Sequence, residues 1–262
     1  MPALALASSL LLARVHPFGD VGLFRPQRNQ QLIPEHAGIP PAARDLLASK
    51  CTDCHSTVTR APFYGRLAPV SWLMERDIAR GRSHMNLSDW STYTPEQQQT
   101  LIAKIVQLAR TQAMPLPQYR AIHWNSRITP ADLEVLTAWA HAPSPATAYA
   151  ASPALLPGDA TRGEAVFEKR CTGCHSLATD REGPRLQNVY GRTTAGVPGF
   201  GYSVALRSAH LTWNDRTLDQ WLTDPDAFLP GNNMTFRVAR AQERQDLIAF
   251  LRQSAGAPVT TP

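Results

Sequence analysis

The sequence predicts an all-α protein. Apolar residues recur at three- and four-residue spacings in several stretches, and no stretch shows the sustained alternation that is typical of a strand. Hydrophobic residues make up 43% and charged residues 18% of the 262 residues, which is a globular composition and not that of a disordered chain. This length suggests one or two domains.

Three helices are predicted in the first half of the chain. The first covers residues 41–50, and the second covers residues 95–112 with Thr94 as its N-cap. The third opens at Thr129, with Pro130 in its first turn. The apolar face of the second helix comprises Leu101, Ile102, Ile105, Val106, Leu108 and Ala109.

The second half of the chain begins and ends with a predicted helix. These helices cover residues 158–170 and 241–254, and residues 142–158 before them form an uncharged linker rich in Pro, Ala and Ser. The sequence therefore predicts five segments: an N-terminal segment 1–15, a domain 16–141, a linker 142–158, a domain 159–256 and a tail 257–262.

Residues 1–13 are apolar but too few to cross a bilayer alone. They resemble the apolar part of an export signal, yet they lack a positively charged start and a clear cleavage site. The segment is either the remainder of a longer signal or anchor, or a retained membrane-anchoring segment.

A Cys-x-x-Cys-His motif occurs twice and contains every cysteine of the chain. Two thiols at this spacing can each form a thioether to a porphyrin vinyl group, and the histidine that follows can reach the iron. A thioredoxin-like pair or half of a zinc site would leave the histidine unexplained. The sequence predicts two covalently bound haem c groups, attached at Cys51, Cys54, Cys171 and Cys174, with His55 and His175 as iron ligands.

Haem attachment to c-type cytochromes takes place outside the cytoplasmic membrane. We therefore expect an exported protein at the periplasmic or external face, and the N-terminal segment leaves membrane association open. The net charge is +5, and no basic run is interleaved with aromatic residues, so nucleic acid is not an expected partner.

Residues 159–256 resemble class I cytochromes c of the mitochondrial-like and c2 type. The resemblance rests on motifs in the family's order: Gly163, Phe167, Cys171-Thr-Gly-Cys174-His175, Gly183-Pro-Arg-Leu186, Tyr190-Gly-Arg192, Pro198-Gly-Phe200-Gly-Tyr202, Leu211-Thr-Trp213, Trp221-Leu222, Pro230-Gly-Asn-Asn-Met234 and Arg244–Leu251. It implies the class I cytochrome c fold for the second domain.

The resemblance also implies roles for particular residues. His175 and Met234 would be the axial ligands, and a thioether opposite an imidazole raises the potential. The Pro184 carbonyl would accept a hydrogen bond from His175 and fix its tautomer. The haem propionates would be held by Arg192, Tyr202 and Trp213. The alternatives are a core methionine at position 234 and generic packing, above all for Trp213.

Two features depart from the family pattern. Trp221 stands where the family usually has a tyrosine facing the methionine ligand, which should change the hydrogen bonding near the sulfur. The family's lysines around the exposed haem edge are largely absent, with Asp226, Ala227 and Asn233 in three such places and Arg170 retained. A strongly acidic docking partner is therefore not implied.

Residues 16–141 resemble a bacterial haem-binding domain family with one attachment motif. The matching pieces are Cys51-Thr-Asp-Cys54-His55-Ser56, Ala68-Pro-Val-Ser-Trp72, Gly81-Arg-Ser-His84-Met-Asn86, Trp90, Met114-Pro, Tyr119 and His123.

The distal ligand of the first haem is predicted to be Met114, which follows a helix and precedes a proline. His84 is the rival, because imidazole is an equally good iron ligand and would lower the potential. His123 is expected to form a hydrogen bond or to lie at the surface. Core packing explains Met74 and Met85 better. Exposed positions are expected for His16, His36, His141 and His210.

The leading functional prediction is a dihaem electron carrier that relays single electrons between redox proteins, either a membrane complex or a soluble carrier. No nucleotide-binding motif, activated serine or further cysteine points to other chemistry. One alternative is a dihaem enzyme, of the peroxidase or sulfur-compound oxidase type, with an open distal site in the first domain. Another is a subunit of a respiratory or photosynthetic membrane complex.

Overall fold

The computed structural model describes residues 2–24, 32–35, 38–142 and 155–256. Helices account for nearly all regular structure in these ranges, and the pairing of Thr193 with Thr212 is an isolated bridge with no strand around it. The predicted all-α class is confirmed. Most of the predicted linker, residues 143–154, and the tail 257–262 lie outside the described residues.

Twelve α-helices are described, and short 3-10 helices cover Phe63–Arg66, Leu87–Thr92 and Trp124–Ser126. The α-helices are α1 Pro2–Leu12, α2 Pro41–Lys50, α3 Thr52–His55, α4 Val70–His84, α5 Pro95–Arg110, α6 Pro117–Ile122, α7 Pro130–His141, α8 Ala160–Arg170, α9 Val204–Ser208, α10 Asp215–Thr223, α11 Pro225–Phe228 and α12 Ala241–Ser254.

The chain folds as two compact units. The N-terminal unit comprises Met1–Thr94 and Pro115–Val135, and the C-terminal unit comprises Pro95–Met114 and Leu136–Pro262. Helix α5 and the residues up to Met114 therefore pack with the C-terminal unit, although Thr94 and the segment Pro115–Val135 belong to the N-terminal unit.

Helices α2, α3 and α4 surround the first attachment motif in the N-terminal unit. Helix α2 starts at Pro41, whose missing N–H costs nothing in a first turn, and it buries Leu47. Helix α4 crosses the motif at Gly81, where a Cβ atom would lie 2.9 Å from the Cys54 carbonyl oxygen. Only a glycine lets the two backbones approach this closely.

Helix α1 buries none of its residues. Its exposed side chains include Leu4 and Leu11, and the Ser9 hydroxyl donates a hydrogen bond to the Ala68 carbonyl at 2.7 Å. Among the described residues, no helix combines the length and the apolar character needed to span a bilayer.

The C-terminal unit is organised by the crossing of α8 and α12. At Gly163 a Cβ atom would lie 2.0 Å from the Asp246 carbonyl oxygen, so the glycine sets the helix separation. The Arg162 guanidinium donates to both carboxylate oxygens of Asp246, at 2.9 and 2.8 Å. Burial raises the pKa of Asp246, but hydrogen bonds from Arg162 and the Asp159 N–H outweigh this effect and hold that pKa below its usual range.

The core around the crossing contains Phe167, Val189, Trp213, Leu218, Trp221, Leu222, Val238, Leu247, Ile248, Phe250 and Leu251.

The expected exposure of four histidines is confirmed only for His210. His16 and His141 are half-buried, which corrects the expectation for both. Each pairs with a carboxylate: His16 Nδ1 lies 2.6 Å from Glu75 Oε1, and His141 Nε2 lies 3.0 Å from Asp226 Oδ2. Neither partner is close in sequence, so no local pattern could reveal these pairs. His36 lies outside the described residues.

Candidate functional site

One cavity of the C-terminal unit gathers the residues predicted to surround the second haem. Its lining is mostly apolar, and both thiols of the attachment motif reach it together with the two predicted axial ligands. The predicted residues that line it are Cys171, Cys174, His175, Pro184, Arg192, Tyr202, Trp213, Trp221 and Met234.

His175 is held for coordination by the backbone around it. Helix α8 runs directly into the motif, and the His175 N–H donates to the Cys171 carbonyl at 2.8 Å. The ring Nδ1 donates to the Pro184 carbonyl at 2.8 Å, as the resemblance implies, and this leaves Nε2 free to bind iron. Burial lowers the pKa of His175, so the ring is neutral, which is the form that coordinates a metal.

Gly183 makes room for the His175 ring. A Cβ atom at this position would lie 2.1 Å from Cε1 of His175, so any side chain would displace the imidazole. The Gly183 N–H also donates to the Cys174 carbonyl at 2.9 Å, which fixes the turn beside the motif. The resemblance includes Gly183 in one of its motifs, but only the fold shows that its missing side chain makes room for the imidazole.

The thiols of the motifs are not activated for redox exchange. Burial raises the pKa of Cys171 to about 12 and that of Cys174 to about 11. Burial likewise raises the pKa of Cys51 to about 12 and that of Cys54 to about 11. Reactive Cys-x-x-Cys pairs need the opposite shift, so the thioredoxin-like interpretation fails. The described residues also contain no cluster of three or more His, Cys, Asp or Glu side chains that could hold a metal ion such as zinc.

The loop that carries Met234 is fixed by a buried asparagine. Asn232 is 1% exposed; its side-chain amide donates to the Pro225 and Leu229 carbonyls, both at 2.9 Å. Its Oδ1 accepts the Met234 N–H at 2.6 Å. The next hydroxyl along the loop, on Thr235, is buried and has no hydrogen-bond partner among the described residues. The loop thus presents the Met234 side chain to the cavity that His175 also lines.

The three predicted propionate partners, Arg192, Tyr202 and Trp213, all line this cavity. Arg192 donates to the Gln187 and Arg185 carbonyls at 3.3 and 3.0 Å, and none of the described carboxylates pairs with it. Burial lowers the pKa of Arg192 and raises that of Tyr202. With neutral thiols, a free imidazole nitrogen and a thioether around one apolar cavity, these residues fit a covalently bound haem.

Three residues of α5 and the residue that follows it also line this cavity, and sequence reasoning assigned none of them to it. They are Thr100, Ala103 and Gln107 of the helix, and Thr111. The periodic pattern correctly predicted the helix, but it could not show which domain the helix packs against.

The first attachment motif repeats part of this arrangement in the N-terminal unit. Cys51, Cys54 and His55 lie in and just before α3, and the His55 N–H donates to the Cys51 carbonyl at 3.0 Å. Nδ1 of His55 lies 3.1 Å from the Met85 carbonyl oxygen, and the Gly81 backbone also forms a hydrogen bond with the ring. Burial lowers the pKa of His55, as it does for His175. Met85 is buried, as expected of a core methionine, and its backbone orients the histidine.

The candidates for the distal ligand of the first haem differ in their surroundings. His84 ends α4 and is exposed, whereas Met114 is half-buried after α5 and donates its N–H to the Leu108 carbonyl at 3.3 Å. His123 is already engaged, because its Nε2 lies 3.0 Å from the Tyr64 hydroxyl and its ring stacks on Tyr119 at 4.1 Å. The choice of Met114 over His84 stays a prediction.

Comparisons with known proteins assign a different family model to each half of the chain, and each half contains one attachment motif. A family model described as a haem-binding domain matches residues 18–142, and a cytochrome c model matches residues 160–255. Cytochrome c of Chlamydomonas reinhardtii is 38% identical over 110 residues, covering 40% of this chain and 96% of that protein. Cytochrome c of Euglena viridis is 41% identical over 98 residues, covering 36% and 96%.

Among solved structures, cytochrome cH from Methylobacterium extorquens shares 37% sequence identity. The match covers 37% of this chain and 99% of that chain, with a TM-score of 0.35.

The fold and the cavity define an all-α protein that carries haem c. The chain belongs to the cytochrome c family, with a haem-binding domain in its N-terminal half and a cytochrome c domain in its C-terminal half. It is an electron-carrier haem protein, as its relatives indicate.

Proposed function

We propose that this chain binds two haem c groups and relays single electrons between redox proteins outside the cytoplasmic membrane, as part of a respiratory or photosynthetic chain. The observation that carries the proposal is the parallel between the two motifs. Each ends in a histidine whose Nδ1 lies within hydrogen-bond distance of a backbone carbonyl, of Met85 for His55 and of Pro184 for His175. Each therefore offers Nε2 to an iron atom.

The haem supplies one-electron redox chemistry, and the protein sets its ligands, its burial and its access. His175 and Met234 line the cavity and would supply an imidazole and a thioether to the second iron, which would leave no position for a substrate. Arg192 would pair with a propionate, and Tyr202 and Trp213 would donate hydrogen bonds to the propionates, while the apolar walls exclude water. A fixed coordination sphere suits electron transfer, because little needs to move when the charge on the iron changes.

Membrane association is part of this proposal. Helix α1 buries no side chain and exposes Leu4, Leu6 and Leu11, so an apolar surface is available to a lipid interface. The partners are redox proteins rather than nucleic acid.

The number of haems and their coordination are tested by optical titration of the whole protein. We expect two covalently bound haems per chain, two one-electron waves in a potentiometric titration, and no carbon monoxide binding in the reduced state. Replacing Cys51 and Cys54 by serine should remove one haem, and the matched change at Cys171 and Cys174 should remove the other. A single haem would overturn the proposal, and carbon monoxide binding at the first haem would favour the dihaem enzyme.

The distal ligand of the first haem is tested by two alanine variants. With Met114 as ligand, Met114→Ala lowers the first haem's potential and removes its sulfur-to-iron charge-transfer band, because a thioether favours ferrous iron. His84→Ala then leaves both unchanged and serves as the control. With His84 as ligand, the first haem of the parent protein has no sulfur-to-iron band, His84→Ala raises its potential, and Met114→Ala changes neither. No effect from either variant would exclude both residues.

A further inference from the structure

Helix α5 closes the second haem cavity on the side of the attachment motif. Thr100, Ala103 and Gln107 line the cavity together with Cys174 and His175. The contact is close: a Cβ atom added to Gly173, between the two cysteines, would lie 3.0 Å from the Thr100 methyl carbon. Small side chains on this face, including Ala103, let the helix approach the motif.

Polar contacts fasten α5 along its length. Near its start, Gln99 accepts a hydrogen bond from Arg170 and donates to the Arg237 carbonyl at 3.3 Å. In the middle, Lys104 pairs with Glu182 at 2.7 Å and donates to the Gly173 carbonyl at 3.2 Å.

The C-terminal end of α5 is held by Arg110. It pairs with Asp226 at 2.8 Å and donates to the Asn232 carbonyl at 3.1 Å. Both members of the Arg110–Asp226 pair are less than a fifth exposed, so salt screens this pair less than an exposed one. His141 approaches the same carboxylate at 3.0 Å.

These contacts use the positions where the family would carry lysines around the haem edge. Arg170 bonds to Gln99, and Asp226 takes the place of a cation and pairs with Arg110. In a class I cytochrome c this edge faces an external protein. In this chain, side chains of α5 form hydrogen bonds and ion pairs with the charged residues of that edge. The range matched by the haem-binding domain model, residues 18–142, includes that helix.

We propose that α5 is a resident partner at the edge of the second haem and closes this edge to external redox proteins. The inference rests on the proposed dihaem electron carrier. An incoming protein cannot reach the side walled by Thr100, Ala103 and Gln107 while α5 is fastened.

The test loosens α5 by charge reversal in the full-length protein with both haems. Arg110→Glu places like charges at Asp226, and Lys104→Glu does so at Glu182. Arg252→Glu is the matched control, because it makes the same charge change in the exposed pair with Asp215, which involves no residue of α5. Hydrogen–deuterium exchange of α5 reports whether the helix has been loosened.

We expect both α5 variants to increase hydrogen–deuterium exchange in α5. We also expect a reduced blue-copper protein to reduce the second haem about tenfold faster, with the rate of reduction by ascorbate as the reference. Arg252→Glu should change this rate by no more than about twofold. The charge-transfer band is recorded in each variant, so that loss of the methionine ligand is not mistaken for an open edge.

Loosened α5 with unchanged rates would overturn the proposal, and so would unchanged exchange in both variants, since the named contacts would then not hold the helix. These failures differ from failure of the proposed function. A protein with two redox-active haems and an accessible edge would reject only the role of α5, whereas a single haem per chain would reject the relay itself.

Discussion

Replacing Met234 by alanine is expected to abolish the sulfur-to-iron charge-transfer band of the second haem and to lower its reduction potential. The thioether favours ferrous iron, so its loss stabilises the ferric state and opens a coordination position. The loop itself should survive, because Asn232 fixes it through the Pro225 and Leu229 carbonyls and through the Met234 N–H, none of which needs the methionine side chain. Optical spectra with a potentiometric titration measure both changes.

The control for this variant is Val204→Ala, which truncates an apolar side chain that is 68% exposed in the same unit. It should leave band and potential as they are. Carbon monoxide should bind the reduced Met234→Ala protein at the second haem and not the parent protein. A band that persists in Met234→Ala would exclude Met234 as the ligand and assign it to the core, where its neighbour Trp221 already lies.

Gly163→Ala is expected to destabilise the C-terminal unit by about 3 kcal/mol or more, because overpacking a close helix crossing forces backbone shifts. The added Cβ would lie 2.0 Å from the Asp246 carbonyl oxygen and 2.8 Å from the Phe250 Cβ, so α8 and α12 must separate. Helix propensity acts in the opposite direction, since alanine in a helix is favoured over glycine by about 1 kcal/mol. A net decrease in the free energy of unfolding would therefore measure the cost of overpacking the crossing of α8 and α12.

Urea unfolding of the haem-loaded protein, followed by haem absorbance, measures this loss. Gly256→Ala is the matched control, because the same chemical change there meets no atom within 4 Å. It should change the free energy of unfolding by less than about 0.5 kcal/mol. A Gly163→Ala protein as stable as the parent would show that the crossing adjusts at no cost and that the glycine does not set the helix separation.

The chemistry of attachment could be predicted because it is local. Two cysteines and a histidine within five residues can meet one porphyrin whatever the rest of the chain does, so the motif alone predicts Cys171, Cys174 and His175. Helices could be predicted for the same reason, since apolar spacing and capping act within a few residues, as the capping box at Asn214 and Thr217 illustrates. Met234 could be predicted as a ligand only from the resemblance of residues 159–256 to class I cytochromes c, which aligns it with the family's methionine ligand.

The tertiary structure decided which surfaces of the chain pack against each other. The periodicity of residues 95–112 is equally compatible with packing on either unit, and the packing of α5 on the C-terminal unit depends on partners more than 60 residues away, such as Glu182 and Asp226. The need for glycine at positions 163 and 183 likewise arises from atoms that approach only in the folded chain. The sequence by itself determined a c-type haem protein with two attachment sites. The fold decided which helix covers the second of them, because long-range packing and charge pairing leave no signal at short sequence spacing.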